Sequence, residues 1–489
     1  MPAIITNKFR INNAEQFLES FTEASPNIYY LGIGKPQAHA TQTRGDSRTE
    51  NLGTDTSPLT PEDSVANEFY TFDDALAAKK ITSSDIQQVI PRRNWTTGTT
   101  YDYYRHDYGA RVTGTTNTQT ANSGATSLFD ATFYVVSSAY NVYKCLDNNS
   151  DAASTVEPTG TSTSILTTGD GYKWKYMYTL SASQQANFLS TDFMGVATNS
   201  TVSSAAVDGA INIVKIKSAG TGGTNGSHTS IPIRGDGSSG TVTVTISSNA
   251  ISAVTVTNVG SGYTFGYITL ADINSAGGGS LSGAELDCII EPKGGHGKNA
   301  LEELGAFFVM LNTSFTGTES AASGDFTVAN DFRKIFLLRD PLSGGSAASA
   351  TTLRGTKAIR FASSPSPGTF TVDEEINQAS TGAVGKVVEY DSTNRILYYI
   401  QTRFNDEGLD SNGNLTAFSG TNVVTGQTSS ATGTPDADSD SAVNNVSFTN
   451  GYSASELDAD TGDVIYLENR TPITRASDQT ENVKLIVEF

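Results

Sequence analysis

Apolar residues along this chain fall mostly in short runs with period two, the spacing that turns alternate side chains to one face of a pleated strand. The strongest runs are Ala131 to Val136, Ala139 to Leu146 and Tyr172 to Leu180, each with aromatic residues at alternate positions. Ile4 to Ile11 and Ile28 to Ile33 predict two strands near the N-terminus. Later strands are expected at Ala306 to Asn312, Lys334 to Leu338, Ala358 to Phe361, Asp463 to Leu467 and Val483 to Phe489, with two more inside Val387 to Ile400. Helical spacing is scarce. Ala14 to Phe21 carries Phe17, Leu18 and Phe21 on one face, and Asp63 to Lys79 places Val65, Phe69, Phe72 and Leu76 at helix spacing. A short helix is expected near Leu301 to Leu304. The polar stretches Lys35 to Pro61 and Asp147 to Thr168 read as surface loops, the first of them mobile.

Two segments repeat internally. Val214 to Thr224 aligns with Val254 to Thr264 at an offset of 40, each copy ending in a Gly-x-Gly turn (Gly220 and Gly222, Gly260 and Gly262). Ile376 to Gly385 aligns with Val424 to Gly433 at an offset of 48. A unit of this kind cannot cover its own apolar face, so consecutive copies should pack on one another. The expected fold is therefore mainly β (α+β with few short helices), a multi-domain, β-sandwich-like architecture with two inserted β-repeat modules. Residues 1–95 begin a core domain that 299–362 and 441–489 complete; 96–206 form a middle β domain, and 207–298 and 363–440 are the inserted modules.

Length and charge narrow the function. A chain of 489 residues holds about three domains. Its net charge is −20, with only 17% of residues charged and 46 glycines. A surface this acidic repels polyphosphate and anionic lipid, so no nucleic-acid partner is expected. No run of 18 apolar residues occurs, and the N-terminus lacks a basic segment followed by an apolar one, so neither membrane insertion nor a secretory signal is predicted. Cys145 and Cys288 sit in apolar runs far apart, which favours buried free thiols in a reducing compartment.

Motifs for chemistry are thin. The four histidines (His39, His106, His228, His296) are scattered without neighbours at zinc-ligand spacing and read as surface residues. Gly235 to Gly240 fits G-x-G-x-x-G, yet Thr241 to Ile246 continues as a strand where a dinucleotide loop needs a helix, so this is a turn in the repeat. The clusters Asp458 to Asp463 and Asp410 to Asn414 lack a carboxylate at the twelfth calcium-loop position, where Asn469 and Thr421 stand, and read as acidic turns. No catalytic, cofactor-binding or metal-binding residues are assigned. Pro91 to Trp95 (Pro-Arg-Arg-Asn-Trp) is the densest positive spot. Two readings stay open for it: pairing with carboxylates across an interface, or an internal salt bridge beside a core Trp95.

Val89 to Trp95, then Val142 to Asp147, then Gly169 to Tyr176 occur in the order seen in the baseplate wedge protein of T-even-type contractile-tailed phages, the product of gene eight, which this chain resembles. The closing segment Gly462 to Ile473 (Gly-Asp-Val-Ile-Tyr-Leu-Glu-Asn-Arg-Thr-Pro-Ile), followed by Asp478 to Glu481, resembles that family most specifically, with Phe332 to Ile335 and Asp340 to Leu342 as weaker matches. The resemblance implies a mainly β, homodimeric structural protein of the virion tail baseplate, assembled in the host cytoplasm beside other wedge proteins, without enzymatic activity or cofactor. Candidate interface residues on that basis are Arg92, Arg93, Trp95, Tyr466, Glu468, Asn469, Arg470 and Asp478. The alternative is that they determine the fold, with Trp95 and Tyr466 in cores. The chain is longer than the family, chiefly in the two repeat segments, and modules of this sort point to a phage of marine cyanobacteria.

Two other functions compete. A tail-associated adhesin would bind host-surface glycan through the repeats, with Tyr263, Phe265 and Tyr267 as a stacking platform. A glycan-cleaving enzyme would use paired carboxylates such as Asp373, Glu374 and Glu375.

Overall fold

The computed structural model describes residues 4–43, 47–110, 118–318, 326–327, 330–404, 406–474 and 480–489. Its chain divides into two compact units, one comprising Met1–Phe17, Gln87–Met310 and Ile486–Phe489, the other Leu18–Ile86 and Leu311–Leu485. Antiparallel sheets dominate both and the helices are short, so the mainly β, multi-domain fold expected from the period-two runs is what forms.

The first unit is built on a four-stranded sheet ordered Leu166–Thr167, Lys173–Thr179, Asn141–Asp147, Tyr134–Val136. Apolar and aromatic side chains at successive positions of the two long strands suit a sheet covered on both faces. Val142, Leu146, Tyr178 and Leu180 enter one cluster with Phe133 and Leu304, while Tyr143, Cys145, Trp174 and Tyr176 enter another with Tyr101 and Tyr172. Tyr172 stacks on Trp174 with ring centres 5.4 Å apart. Both cysteines are free and buried, as their apolar surroundings predicted. The polar stretch after Asp147 is pinned by one carboxylate: Asp170 accepts from Ser154 Oγ at 3.0 Å and from the Thr155 and Val156 N–H groups at 2.8 and 3.0 Å. Burial opposes its charge, but these bonds and one from Thr168 bring its pKa down to about 2.

The first repeat lies wholly in this unit. Ile213–Gly223 pairs with Gly279–Ile289, and Gly226–Pro232, Thr241–Ser247 and Ala250–Asn258 form a three-stranded sheet. The alternation Thr-Val-Thr-Val-Thr-Ile sends Val242, Val244 and Ile246 into a core that Val214, Val254 and Val256 also cover, so both copies share one interior. The equivalent glycines keep equivalent left-handed backbones: φ is 68° and 77° at Gly220 and Gly222, 64° and 75° at Gly260 and Gly262. The G-x-G-x-x-G match is a turn before a strand, and its glycines admit an aromatic ring. A Cβ on Gly237 would stand 2.4 Å from the Tyr263 ring, whose hydroxyl donates to Ile233 O and accepts from Gly240 N–H.

In the second unit a five-stranded sheet runs Thr352–Arg354, Ala75–Ile81, Tyr29–Gly34, Asp331–Arg339, Asp463–Thr474. Tyr30, Ala78, Phe336, Leu338 and Leu353 fill its core. A seven-stranded sheet carries the second repeat, whose copies appear as neighbouring hairpins, Glu375–Gln378 with Ala383–Asp391 and Val424–Gly426 with Thr432–Gly433. They pair antiparallel through Ile376 opposite Gly426, and the aligned Ile376 and Val424 are both fully buried.

Several local expectations need correction. Ile4 to Ile11 is no strand: one helix spans Asn7–Glu19, buries Ile11 and Ala14 three residues apart, and takes the place of the separate helix expected from Ala14. The helix expected over Asp63 to Lys79 stops at Asp73, capped at its start by Ser64, and Ala75–Ile81 is a strand. Flanking strands Tyr29–Gly34 and Thr352–Arg354 both bond to Ala75–Ile81, and that pairing overrides the helical spacing of Leu76. Lys35 to Pro61 contains two small hairpins, Thr41–Thr43 with Thr49–Asn51 and Gly53–Thr54 with Ser57–Pro58.

Close packing over Gly32 gives a direct test. A Cβ there would lie 2.1 Å from the Phe336 ring, whereas one on Gly169 would meet only Val156 at 3.9 Å. Gly32→Ala should lower stability in urea titration by about 1–3 kcal/mol, the usual cost of overpacking, while Gly169→Ala should stay within ~0.5 kcal/mol of the parent.

Candidate assembly interface

In the first unit the Arg-Arg-Asn-Trp spot is held by main chain. Arg92 donates to Ser190 O at 2.8 Å and to Asn94 Oδ1 at 2.9 Å. Arg93 donates to Ala131 O and Phe129 O, with its guanidinium 4.7 Å above the Tyr134 ring. Trp95 donates from its indole to Ser154 Oγ at 3.1 Å and packs, half-buried, against the Tyr101–Trp174 cluster. Arginine suits this role because its fork reaches two carbonyls at once. The three side chains thus fasten residues 91–95 to the sheet, leaving part of each exposed.

A charged cluster that the sequence reading passed over lies deeper in the same unit. Lys144 and Lys175 stand directly opposite each other on adjacent strands, and both are buried. Like charges so placed repel. Glu303, on the helix Ala300–Leu304, bonds Lys144 and accepts from the Gly297 N–H at 2.8 Å and the Asn299 N–H at 3.2 Å. Glu291 accepts from Asn212 Nδ2 and from the His296 N–H at 2.9 Å. The His296 ring lies 3.8 Å from one carboxylate and 3.9 Å from the other, edge-on to Tyr104, and its Nδ1 has no hydrogen-bond partner. Burial holds His296 below the ordinary histidine pKa against the pull of Glu291 and Glu303. Burial also opposes the charge of Glu303, but Lys144 and His296 hold its pKa down at about 2.

His296 therefore corrects the surface reading of the histidines, as do buried His39 and His228, whose ring nitrogens bond Arg470 O and Thr224 O at 2.8 Å. The sequence did carry a signal for the cluster: lysines inside the apolar runs Val142 to Leu146 and Tyr172 to Leu180.

In the second unit the closing strand Asp463–Thr474 is the edge of its sheet, bonded along one side to Asp331–Arg339. Tyr466 donates to Glu468 Oε2 at 2.9 Å, Arg470 lies 3.7 Å from Glu468 Oε1, and Asn469 Nδ2 donates to Leu59 O at 3.1 Å. Burial and then the Glu468 carboxylate push the Tyr466 hydroxyl up to about 12. Four of the sequence-chosen residues thus sit together on one strand. Asp478 lies outside the described residues. Leu467 and Asn469 from this strand help line a pocket of about 130 Å³ whose floor is the ion pair of Lys334 Nζ and Asp74 Oδ2 at 2.8 Å.

The other candidate chemistries dissolve into turns and cores. Asp458 accepts from the Gly344 and Gly345 N–H groups, Asp460 pairs with Arg403 and Asp463 with Arg339, while Asp410 caps Asn412 and Asn414. Glu374 accepts N–H groups of Thr371, Thr428 and Ser429, and Asp373 pairs with Lys35 at 2.7 Å. Tyr263 is core, so the three-ring platform reduces to exposed Phe265 and Tyr267. Among the described residues no group of three or more His, Cys, Asp or Glu is arranged to hold a metal, and no helix is long and apolar enough to cross a membrane.

Both units are antiparallel β structures whose described charged groups are spent on ion pairs and backbone hydrogen bonds, an arrangement that suits a structural protein. The family is that of the T4 baseplate wedge: the chain belongs to the family described as Bacteriophage T4, Gp8, whose model matches residues 3–156 and 381–489, more than half of the sequence. The unmatched stretch, 157–380, contains all of the first repeat module, whereas the second lies inside the match from residue 381 onward. Comparison with curated proteins gives no match.

The cluster predicts both a mutational and a pH response. Lys144→Met strands the Glu303 charge and should cost about 3–5 kcal/mol in urea titration; adding Glu303→Gln, which keeps an acceptor for the Gly297 N–H, should recover part of that loss. Histidine binds protons in the unfolded chain below its ordinary pKa of 6.5 while buried His296 resists them. Stability should therefore fall as pH drops below that value, and fall further from 4.5 towards 2 as Glu303 protonates. His296→Gln should flatten the upper part of this fall, read from melting temperatures between pH 7 and pH 4.5.

Proposed function

We propose that the chain acts as a dimeric subunit of the baseplate wedge, assembled in the host cytoplasm, that links neighbouring wedge proteins during construction of a contractile tail. The observation that carries this reading is the family match on both sides of the unmatched central stretch. An assembly subunit works through extended complementary surface, and obligate interfaces commonly exceed about 2,000 Å². Exposed portions of Arg92, Arg93 and Trp95 in one unit, and of Tyr466, Glu468, Asn469 and Arg470 in the other, supply polar and aromatic groups of the kind that anchor such contacts. Asp478 belongs to the same closing segment by sequence. The first repeat module, 207–298, adds surface outside the stretches that the family model matches, whereas the second, 363–440, lies mostly within them.

Light scattering on the full chain at micromolar concentration should give twice the 51.5 kDa chain mass. A clean monomer there, or absence of the chain from purified tails by mass spectrometry, would count against the reading.

A further inference from the structure

The buried charged cluster of the first unit borders a cleft of about 290 Å³. Lys175, Glu291 and His296 line it although they are only 6%, 7% and 5% exposed. Its walls are apolar, from Leu146, Ile165, Ala206, Val207, Ala210 and Val259, and Val207 is exposed at the mouth. All of these residues belong to the same compact unit. An apolar cleft with a few convergent buried polar groups is the usual form of a small-molecule site.

The polar groups of this cleft are short of acceptors. An ammonium carries three N–H donors. Lys175 Nζ has one bond, to Thr163 O, and among the described residues no carboxylate pairs with it. Lys144 opposite is taken by Glu303, and Glu291 is committed to Asn212 and to the His296 N–H. The His296 ring has no hydrogen-bond partner at Nδ1, and its Nε2 lies 3.8 Å from Glu291 Oε1. Charge sets a second condition. Lys144 and Lys175 balance Glu291 and Glu303 while His296 is neutral, so a further negative charge needs a proton beside it. His296 is placed to take that proton. Burial and Lys144 oppose its charged form, Glu291 and Glu303 favour it, and Lys175 and the Tyr104 ring complete its surroundings.

We propose that this cleft binds a small monocarboxylate with a short aliphatic chain, and that His296 gains a proton as it binds. The carboxylate accepts from Lys175 Nζ and from the His296 ring, and the chain lies against Val207, Ala210 and Val259. The lining comes from the sheet through Leu146 and Lys175, from residues 163–165, and from the first repeat module through Val207, Asn212, Val259 and Glu291. An occupant therefore touches three parts of the unit at once and stabilises the folded chain by binding it.

The test uses the full chain at pH 7.5 with sodium butyrate as the probe. Butyrate at about 20 mM should raise the melting temperature by at least about 2 °C over the same concentration of sodium chloride, whereas 1-butanol and butylamine, which lack the carboxylate, should not. Lys175→Met removes the ammonium and leaves Glu291 its bonds from Asn212 and the His296 N–H, so it should fold and bind butyrate at least about tenfold more weakly. Calorimetry of the parent in Hepes and in Tris should show protons taken up on binding, and His296→Gln should abolish that uptake. An unchanged melting temperature, an equal shift with 1-butanol, or a shift retained in Lys175→Met would overturn the proposal. If Lys175→Met does not fold, the parent decides: butyrate binding without proton uptake, or uptake that persists in His296→Gln, overturns it equally.

Discussion

Two lysines facing each other across a buried pair of strands impose the constraint on which much of the first unit depends. Lys144 and Lys175 cannot both stay charged in that place without anions beside them, and Asp147, at the end of the same strand as Lys144, is taken by Lys173 and Lys215. Glu291 comes from the end of the first repeat module and Glu303 from the helix just after it, and each also accepts main-chain N–H bonds from residues 296–299. Electrostatic need in the sheet thereby fixes the path of the returning chain. Asn212, where the chain enters the module, donates to Glu291, where the chain leaves it, so both ends are tied to one carboxylate.

The same economy recurs elsewhere. In an acidic chain most cations described are engaged by specific oxygens. Arg92 and Arg93 hold carbonyls, Arg403 holds Asp73 and Asp460, and Lys35 joins Asp331 to Asp373. Where one member is buried, as Lys35 and Asp73 are, breaking the pair strands it in a poorly solvated place. That is a property useful to a subunit whose task is to keep a shape, and it leaves surplus negative charge for the surface.

Much of this was legible in the sequence, and the failures have physical causes. Asn141–Asp147, Lys173–Thr179 and Asp331–Arg339 were legible because a short run of apolar and aromatic residues is a local signal, even where the strand is buried on both faces. The aligned glycines of the first repeat announced turns for which the backbone conformation is itself the reason. Leu76 misled because its helix spacing was genuine as far as Asp73, and only the non-local pairing of Ala75–Ile81 decides otherwise. His296 and its carboxylates were missed since Lys144, Lys175, Glu291 and Glu303 are brought together by topology, with no motif spacing to betray them. The pocket was half visible: Asn469 was singled out, while Asp74 and Lys334 are far from it in sequence.

These features also bear on how the first repeat module, which lies outside the family match, is held. A loop can lengthen at slight entropic cost provided its ends stay close, since closure entropy grows only with the logarithm of length. The Asn212–Glu291 contact keeps the ends of the first module together, and its interior of Ile231, Val242, Val244, Ile246 and Tyr263 gives the added residues their own source of stability. A module with its own core and a clamped base asks little of the sheet from which it springs. The sheet in turn keeps its geometry whether the excursion between the two clamped points is short or long. On this argument the surface residues between Asn212 and Glu291 are free to vary so long as the contact of those two ends and the module's own core persist.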